Sequence, residues 1–482
     1  MKKIAFFVCL AVSSPLDAAH SPWQQLAKAD LDFIYQNLKD NHPGVIDKQN
    51  PEFNQWLENG YRQAVDSIEA VSDLDGVLNI QRKYIAGFAD GHVDLSFRHQ
   101  RTRLQWPGFI IQKQGVDTVV TSMADEWPTT LPPIGAVLKQ CNGLTPQQLL
   151  VQQVLPYHIL LPELTAVQIN YTPLILRMDG SWQGELLTEC EFTYQNNHVV
   201  LPLHWRTTSR QQWLQHNESV NTNQDFRLEM FAPEHYWISL PTFTPSVPQQ
   251  SQLQQITAEL EALKHAKVIV FDVRGNGGGN SQWGLDLAIA LFGEAHVYDR
   301  LLPIMGRGMA YWRASTQNTA MAAEIVQEVA EQFGEDSDIT LEFKALASRM
   351  AQHTGKDLVP QSLAATKADI KAELNPSLTS ARVILLTDAV CASACLDFAD
   401  FLLPLGALHV GQPTFADTVY MDIRTVELPS KLGSLSIPQK VYRNRPRGHN
   451  EPYIPAGKWY YQSNINNTAL LRDWLLQQLA TE

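Results

Sequence analysis

Apolar residues recur at helical spacing along the first part of the chain. From Ser21 onward, a cap residue and a proline precede apolar positions at every third or fourth residue, which predicts an amphipathic helix. A second helix is predicted over residues 52–68, and a third is predicted to begin at Ser72 with Asp75 as its capping-box partner. The pattern therefore predicts an N-terminal helical unit over residues 20–95.

Beyond this unit, the chain changes to short apolar stretches separated by turn residues. The segment IGAVLKQCNGLTPQQLL predicts a strand, a turn at Asn142 and Gly143, and a helix capped by Thr145. This order is typical of a small β-rich binding module, predicted over residues 105–165, with a β-rich connection over residues 166–234.

Residues 235–482 have the pattern of a layered α/β unit. The pattern predicts, in order, a strand at YWISLPTF, a helix at residues 252–264 and a mostly apolar strand at residues 267–273. Residues 296–380 have mostly helical periodicity, which predicts a packed helical insertion; a mobile lid over the site is the alternative. A strong strand is predicted next, at residues 381–388. The predicted fold class is α/β and multidomain.

The first residues have the pattern of a secretory signal. MKKIAFFVCLAVSSPLDAAH begins with two lysines, continues with an apolar run from Ile4 to Val12, and ends in small and polar residues. That run is too short to span a membrane, which needs roughly 18 apolar residues. We expect residues 1–19 to be removed and the mature protein to be periplasmic or secreted, without a transmembrane segment.

Composition narrows the classes of function. Of 482 residues, 44% are hydrophobic and 18% are charged, which is enough apolar material for several packed cores. The net charge of −13 argues against nucleic acid as a partner. The chain contains no CxxC, HExxH or HxH pattern, so neither a metal nor another cofactor is expected.

The cysteines agree with an oxidising compartment. Five are present, and an even number remains once Cys9 leaves with the signal segment. The natural pairing joins Cys141 with Cys190 and Cys391 with Cys395. For the second pair, which is close in sequence, two free buried thiols are an equally open alternative.

A glycine-rich loop follows the predicted strand in VIVFDVRGNGGGN, residues 268–280. A dinucleotide loop would need GxGxxG, but the last slot is Asn280, and a phosphate loop would need a lysine that is absent here. One tight turn would explain one or two glycines, but not three in succession. Bare backbone that approaches a ligand closely explains them better.

Five segments together resemble the C-terminal processing, or tail-specific, serine protease family and its tricorn-type branch. They are, in the order of the chain, ADGHVDL, IGAVLKQCNGLTPQQLL, DVRGNGGGN, ARVILLTDAVCASACLDFADFL and HNEPYIP. The resemblance implies a catalytic core of crotonase-like and ClpP-like fold, a PDZ-like module at residues 105–165, and hydrolysis of peptide bonds.

The resemblance assigns a nucleophile and a base. A serine hydroxyl is a poor nucleophile at neutral pH and needs a base within hydrogen-bond reach. Ser393 follows a predicted buried strand and opens a helical pattern, as the nucleophile would. His92 lies on a turn and is the predicted base, with His42 as its rival.

The same resemblance assigns the remaining groups of the site. Glu451, in a loop rich in proline, glycine and asparagine, is the predicted third member of a Ser-His-Glu triad, and Glu427 is its rival. The backbone N–H groups of Gly278 and Ala394 are predicted to stabilise the oxyanion that forms when the carbonyl is attacked.

One departure separates this chain from part of the family. The processing proteases use a serine and lysine dyad, but here Asp417, in GQPTFAD, stands where that lysine would lie. The missing amine favours the triad of the tricorn-type branch.

Two classes of function follow from these residues. The leading one is an exported serine peptidase that acts on a peptide or protein through an acyl-enzyme, and an esterase remains open. The rival is a non-catalytic ligand-binding protein on the same scaffold, since retinoid-binding proteins of the eye resemble this family. The presence of Ser393, His92 and the glycines together favours the enzyme.

Overall fold

The computed structural model describes residues 21–99, 102–181, 184–217, 225–305, 308–355, 357–362, 374–461 and 464–481. The predicted signal segment, residues 1–19, lies outside the described residues. Within them, no helix is both long enough and apolar enough to cross a membrane.

The elements alternate between helix-rich and strand-rich parts of the chain. The described α-helices are α1 (Pro22–Asn41), α2 (Pro51–Asp66), α3 (Leu74–Ala86), α4 (Pro146–Leu149), α5 (Thr165–Tyr171), α6 (Arg210–His216), α7 (Val247–Glu259), α8 (Gln282–Phe292), α9 (Glu294–Met305), α10 (Thr316–Phe333), α11 (Asp338–Gln352), α12 (Ala394–Leu402) and α13 (Thr468–Ala480). The described strands are β1 (Asp94–Phe97), β2 (Arg103–Trp106), β3 (Phe109–Gln114), β4 (Asp117–Met123), β5 (Val137–Cys141), β6 (Glu189–Tyr194), β7 (Asn197–Pro202), β8 (Arg206–Ser209), β9 (Arg227–Ala232), β10 (His235–Ser239), β11 (Val268–Asp272), β12 (Met309–Arg313), β13 (Leu358–Pro360), β14 (Arg382–Thr387), β15 (Leu408–Gly411), β16 (Tyr420–Glu427) and β17 (Gly433–Arg443).

Helices α1 to α3 lie within residues 20–95, for which the sequence predicts an N-terminal helical unit. Ser21 caps α1 in a capping box with Gln24. The predicted start of the third helix at Ser72 is wrong, because Asp73 is the cap and its side chain accepts a hydrogen bond from the Gly76 N–H. An aspartate caps a helix as well as a serine does, and here Asp73 rather than Ser72 accepts the N–H of the third helical residue.

A central sheet with the order β15-β14-β11-β10-β9 forms the core of the C-terminal part. Its first four strands are parallel, and β9 is an antiparallel edge. The residues of β11 are all buried, since Phe271 packs in one cluster with α8 and α12 while Val270 packs in another with α13. Helices therefore cover both faces of the sheet, which is the setting in which a parallel sheet is stable.

The β-rich part is an antiparallel sheet with the order β3-β4-β5-β6-β7. Thr145 caps α4 as predicted, and the Asn142-Gly143 turn has positive φ at both residues. The sheet pairs strands from both sides of the boundary predicted at residues 165 and 166, because the chain between β5 and β6 folds as helices beside them.

A second antiparallel sheet connects distant parts of the chain. Strand β17 pairs with β1, β12 and β16, and β12 also pairs with β13. The predicted helical insertion therefore contributes two strands as well as helices α10 and α11. It packs around a cluster that includes Trp312, Leu346 and Met350. The whole is a multidomain α/β fold, as predicted, and the structure shows that its sheets are mixed.

Candidate active site

Ser393 occupies the turn between strand β14 and helix α12, on the carboxyl side of the central sheet. Its φ is 54°, in the left-handed region that residues other than glycine rarely adopt. Holding a residue there costs on the order of 1–3 kcal/mol, and such conformations cluster at functional sites. The carboxyl ends of parallel strands are also where open α/β sheets bind their ligands.

A disulfide spans this turn. Cys391 and Cys395 are bonded across Ser393 with their Cα atoms 5.4 Å apart, which is an ordinary separation for a disulfide. The alternative of two free thiols is therefore wrong for this pair. The other predicted pair, Cys141 and Cys190, is bonded as well, where β5 and β6 lie side by side.

His92 approaches Ser393 from a turn that precedes β1. Its Nε2 lies 3.4 Å from Ser393 Oγ, although 301 positions separate the two residues in the chain. This distance is long for a hydrogen bond, as is common before a substrate binds. The rival His42 is fully buried against Phe53, and its Nδ1 accepts a hydrogen bond from the Gly44 N–H. Of the two histidines, the structure brings His92 to the serine.

The glycine loop lies against the serine turn. A Cβ atom added to Gly278, whose φ is +107°, would come within 2.7 Å of Ser393 Cβ and 2.8 Å of the Ala392 carbonyl oxygen. At Gly279, an added Cβ would lie 2.1 Å from the Phe243 carbonyl oxygen. The glycines therefore let this backbone lie against the Ser393 turn, whereas the predicted close approach to a ligand stays a prediction.

The two predicted oxyanion donors differ in their contacts. The Gly278 N–H donates to Asn276 Oδ1 at 2.9 Å, and the Asn276 amide in turn donates to the Leu240 carbonyl at 2.9 Å. Among the described residues, the Ala394 N–H has no hydrogen-bond acceptor. The role of both groups stays a prediction. Asn276, which the sequence analysis did not single out, anchors the loop.

Asp388 holds the glycine loop to the turn before Ser393. Its carboxylate accepts hydrogen bonds from the N–H groups of Gly275, at 2.9 Å, and Val390, at 3.0 Å. Burial raises the pKa of the Asp388 carboxyl to about 6. This carboxylate bridges the ends of two adjacent parallel strands.

Glu451 is exposed, and its carboxylate accepts a hydrogen bond from the Gly448 N–H at 2.7 Å. No hydrogen bond joins it to His92 in the part of the chain that the structure describes. The adjacent Asn450 reaches the histidine turn, where its side-chain amide donates to the Ala89 carbonyl at 3.2 Å. The rival Glu427 is exposed and paired with Arg98. The triad role of Glu451 therefore stays a prediction.

A buried ionic cluster supports the nucleophile turn. Arg447 forms ion pairs with Asp397 at 3.1 Å, Asp400 at 3.2 Å and Asp417 at 3.4 Å. Burial opposes the charge of the guanidinium, but the three carboxylates outweigh burial and raise the pKa of Arg447. Asp417 Oδ1 also accepts a hydrogen bond from the Ser393 N–H. The sequence indicates Asp417 only as a departure from the lysine dyad and contains no signal for Arg447.

A cavity of about 1090 Å³ opens over these groups. Its lining includes Ser393, His92 and the glycine loop. Trp312, Ile325 and Phe343 contribute apolar surface from the insertion. Its size is sufficient for several residues of an extended peptide. Among the described residues, no group of three histidine, cysteine or acidic side chains could hold a metal ion.

Known proteins resemble this chain in sequence and in structure. Residues 236–451 match the family described as Peptidase family S41. In structure, the chain is similar to mature CPAF, with a TM-score of 0.60 at 12% identity over 94% of this chain and 96% of that one. It is also similar to mature CPAF complexed with lactacystin, with a TM-score of 0.61 at 13% identity over 95% and 99% of the two chains.

The remaining comparisons add less. The photosystem II D1 C-terminal processing protease aligns with a TM-score of 0.35 at 14% identity, over 92% of this chain and 94% of that one. No curated protein matches the sequence. Structural likeness at such low identity shows the fold, whereas the match over residues 236–451 spans both the glycine loop and the Ser393 turn. The chain therefore carries, over residues 236–451, a match to Peptidase family S41, and the protein is a serine peptidase.

Proposed function

We propose that the protein is an exported peptidase that hydrolyses peptide bonds through a covalent acyl-enzyme on Ser393. The observation that carries the proposal is the 3.4 Å separation between His92 Nε2 and Ser393 Oγ, beside the glycine loop and inside an open cavity. A hydroxyl, a base within reach and nearby backbone N–H groups are the components that acyl transfer requires.

In the first half of the reaction, Ser393 Oγ attacks the carbonyl carbon of the peptide bond while His92 Nε2 takes the hydroxyl proton. The resulting imidazolium then gives that proton to the leaving amine, and the carbon–nitrogen bond breaks. In the second half, His92 takes a proton from water, whose oxygen attacks the ester. Collapse of that intermediate returns the proton to Ser393 and releases the new carboxyl group.

The oxyanion of each tetrahedral intermediate is stabilised by the Gly278 and Ala394 N–H groups. Ala394 supports this role because it is the first residue of α12, where unpaired backbone N–H groups favour negative charge. The Gly278 N–H leaves Asn276 Oδ1 when the substrate oxygen arrives. The position of Gly278 against Ser393 supports its part.

Glu451 remains the third member that the sequence predicts. Its support in the structure is the position of its segment, since the adjacent Asn450 is hydrogen-bonded to Ala89 in the histidine turn. For this role, its carboxylate must leave the Gly448 N–H that it binds here.

The remaining parts of the chain are assigned on the same basis. The antiparallel sheet of β3 to β7 is proposed as the PDZ-like module, and the layered unit of residues 235–482 as the crotonase-like and ClpP-like core. The order of elements and the buried parallel sheet support these assignments. Export is supported by the signal pattern at residues 1–19 and by two disulfides, which persist in oxidising compartments.

Labelling with a fluorophosphonate probe tests the proposal. The purified mature protein should be labelled, and should cleave a chromogenic peptide, whereas a folded Ser393→Ala variant should do neither. Cleavage of esters alone would favour an esterase. Binding of a ligand without labelling would favour the carrier and overturn the peptidase. N-terminal sequencing of the protein from the extracytoplasmic fraction tests export, which a chain that begins at Met1 in the cytosol would contradict.

A further inference from the structure

A buried carboxylate lies on the side of His92 opposite to Ser393. Asp90 Oδ1 is 3.8 Å from His92 Nδ1, and the Asp90 side chain is only 3% exposed. His92 Nδ1 is itself buried and has no hydrogen-bond partner among the described residues. One nitrogen of the ring therefore faces the nucleophile, while the other faces a carboxylate.

The Asp90 carboxylate is fixed in place by two hydrogen bonds. The His92 backbone N–H donates to Oδ1 at 2.9 Å, which sets the turn that carries the histidine. The Thr418 hydroxyl donates to Oδ2 at 2.9 Å from the segment before β16. A rigid carboxylate can orient a ring that would otherwise rotate, and such orientation is required for efficient proton transfer.

A second histidine completes the surroundings of Asp90. Because His42 Nδ1 accepts the Gly44 N–H, the proton of the neutral ring is on Nε2, which faces Asp90 Oδ2 at 3.9 Å. Burial, and then the neighbouring His92, lower the pKa of His42 well below its ordinary value. His42 therefore stays neutral and does not offset the negative charge of Asp90, which can then interact with His92.

Few other charged groups face this pair. His449 lies near Asp90, and burial lowers its pKa. Asp47 is ion-paired with Arg443. Burial raises the pKa of the Asp90 carboxyl, and the charge and the backbone N–H of His92 oppose that rise. Among the described residues, Asp90 is the acidic group within ion-pair distance of His92.

We propose that Asp90 is the positioning residue for His92, which it orients toward Ser393 and whose imidazolium it stabilises. This inference rests on the proposed function, in which His92 is the general base. As His92 takes the serine proton, its ring becomes positive, and the 3.8 Å separation closes to a hydrogen bond from Nδ1 to Oδ1. Asp90 does not itself take the proton.

The test is Asp90→Asn in the mature protein, with kcat, KM and the pH profile measured on a chromogenic peptide. We expect kcat to fall by about 10² to 10⁴ while KM changes less than about threefold, since loss of orientation affects the transition state rather than substrate binding. The acidic limb of kcat/KM should move to lower pH by about one unit, because the imidazolium loses its negative neighbour.

Asp47→Asn is the matched control. Asp47 is a similarly buried aspartate of the same region, but it binds Arg443 and Tyr420 instead of His92. Its variant should lose thermal stability and leave the acidic limb unmoved. If Asp90→Asn does not fold, Thr418→Val tests the inference in its place, because it removes one hydrogen-bond donor to Asp90. Thr418→Val should lower kcat about tenfold and leave KM unchanged.

Three outcomes would overturn the inference. The first is an Asp90→Asn variant, or in its place a Thr418→Val variant, whose kcat per titrated active site equals that of the wild type. The second is a loss of activity without movement of the acidic limb, as a purely structural role would give. The third is a shift of the acidic limb of kcat/KM in a Glu451→Gln variant but not in the Asp90→Asn variant. Failure of the proposed function is a separate result, seen when Ser393→Ala remains active and labelled.

Discussion

The backbone N–H of Ser393 donates a hydrogen bond to Asp417 Oδ1 at 3.2 Å. The sequence predicts that Asp417 stands in place of the lysine of the serine and lysine dyad. In the structure, it holds the backbone of the nucleophile instead. Because Asp417 is buried and ion-paired with Arg447, it joins the nucleophile turn to the ionic cluster beneath it.

A lysine at position 417 should not create a dyad. Asp417→Lys would place a second cation beside Arg447 and remove the acceptor of the Ser393 N–H. Uncompensated buried charge costs about 3–5 kcal/mol, so we expect reduced stability and a kcat more than 10² lower. Asp417→Asn keeps an acceptor and should lose less. Recovery of activity on combining Asp417→Lys with His92→Ala would show that the site works as a dyad after all.

Ser393 and His92 should act as one unit. Ser393→Ala and His92→Ala should each lower kcat by about 10⁴ to 10⁶, and the double variant should be little worse than either, because neither group assists without the other. Steady-state rates on one peptide, with circular dichroism to confirm folding, give the comparison. Losses that multiply would mean that the two side chains act independently.

The parts of the fold that could be predicted from the sequence are those that local pattern determines. The capping box at Ser21, the turn at Asn142 and the buried strand β11 each depend on residues close together in the chain. The pairing of β1 with β17 could not be predicted, because it joins residues more than three hundred positions apart. No local signal records such a contact.

In the candidate site, too, the residues that a local motif indicates could be predicted, and those that depend on distant contacts could not. Ser393 and His92 could be proposed from the sequence because their segments resemble family motifs. Asp90 was missed although it lies two residues before His92, because its role depends on Thr418 and His42, which come from other elements. The Asp-Gly-His spacing was the available signal, since an aspartate two residues before a turn residue often accepts that residue's N–H.

Gly278 should not tolerate a side chain. Gly278→Val would place atoms within 3 Å of the Ser393 turn at a positive φ, so we expect kcat to fall by about 10² to 10³ through displacement of the oxyanion donor. Gly277→Ala is the comparison, because a Cβ there meets nothing within 4 Å, and it should lose less than about tenfold. Equal losses for the two variants would remove the special role of Gly278.

The two disulfides should affect different properties. Removing Cys141–Cys190, which closes 49 residues, should cost about 4 kcal/mol of stability but little kcat in the folded protein. The Cys391–Cys395 disulfide closes a loop of only 4 residues, so its removal should cost about 2 kcal/mol of stability. It should also lower kcat roughly tenfold, because the strained backbone of Ser393 can then relax. Thermal unfolding and active-site labelling of the two double-alanine variants test this, and identical behaviour would contradict it.

His409 should make the folded protein sensitive to acid. It is buried on β15 beside Thr387, with Nε2 2.8 Å from the hydroxyl oxygen, and burial lowers its pKa from 6.5 to about 4. In the unfolded chain the ring takes up a proton below pH 6.5, whereas in the folded protein it remains neutral until about pH 4. Stability from this group is therefore complete above pH 6.5 and is lost as the pH falls toward 4, by about 3 kcal/mol in total.

His409→Gln keeps a donor for Thr387 but cannot take up a proton. The free energy of unfolding, measured in urea from pH 7.5 to 4.5, should then fall less steeply as the pH decreases than it does in the wild type. The difference between the two slopes should correspond to the uptake of at most one proton on unfolding. His198→Gln is the control, because His198 is on the surface and its side chain is 58% exposed. A slope that stays unchanged in His409→Gln would show that the acid sensitivity comes from other buried groups.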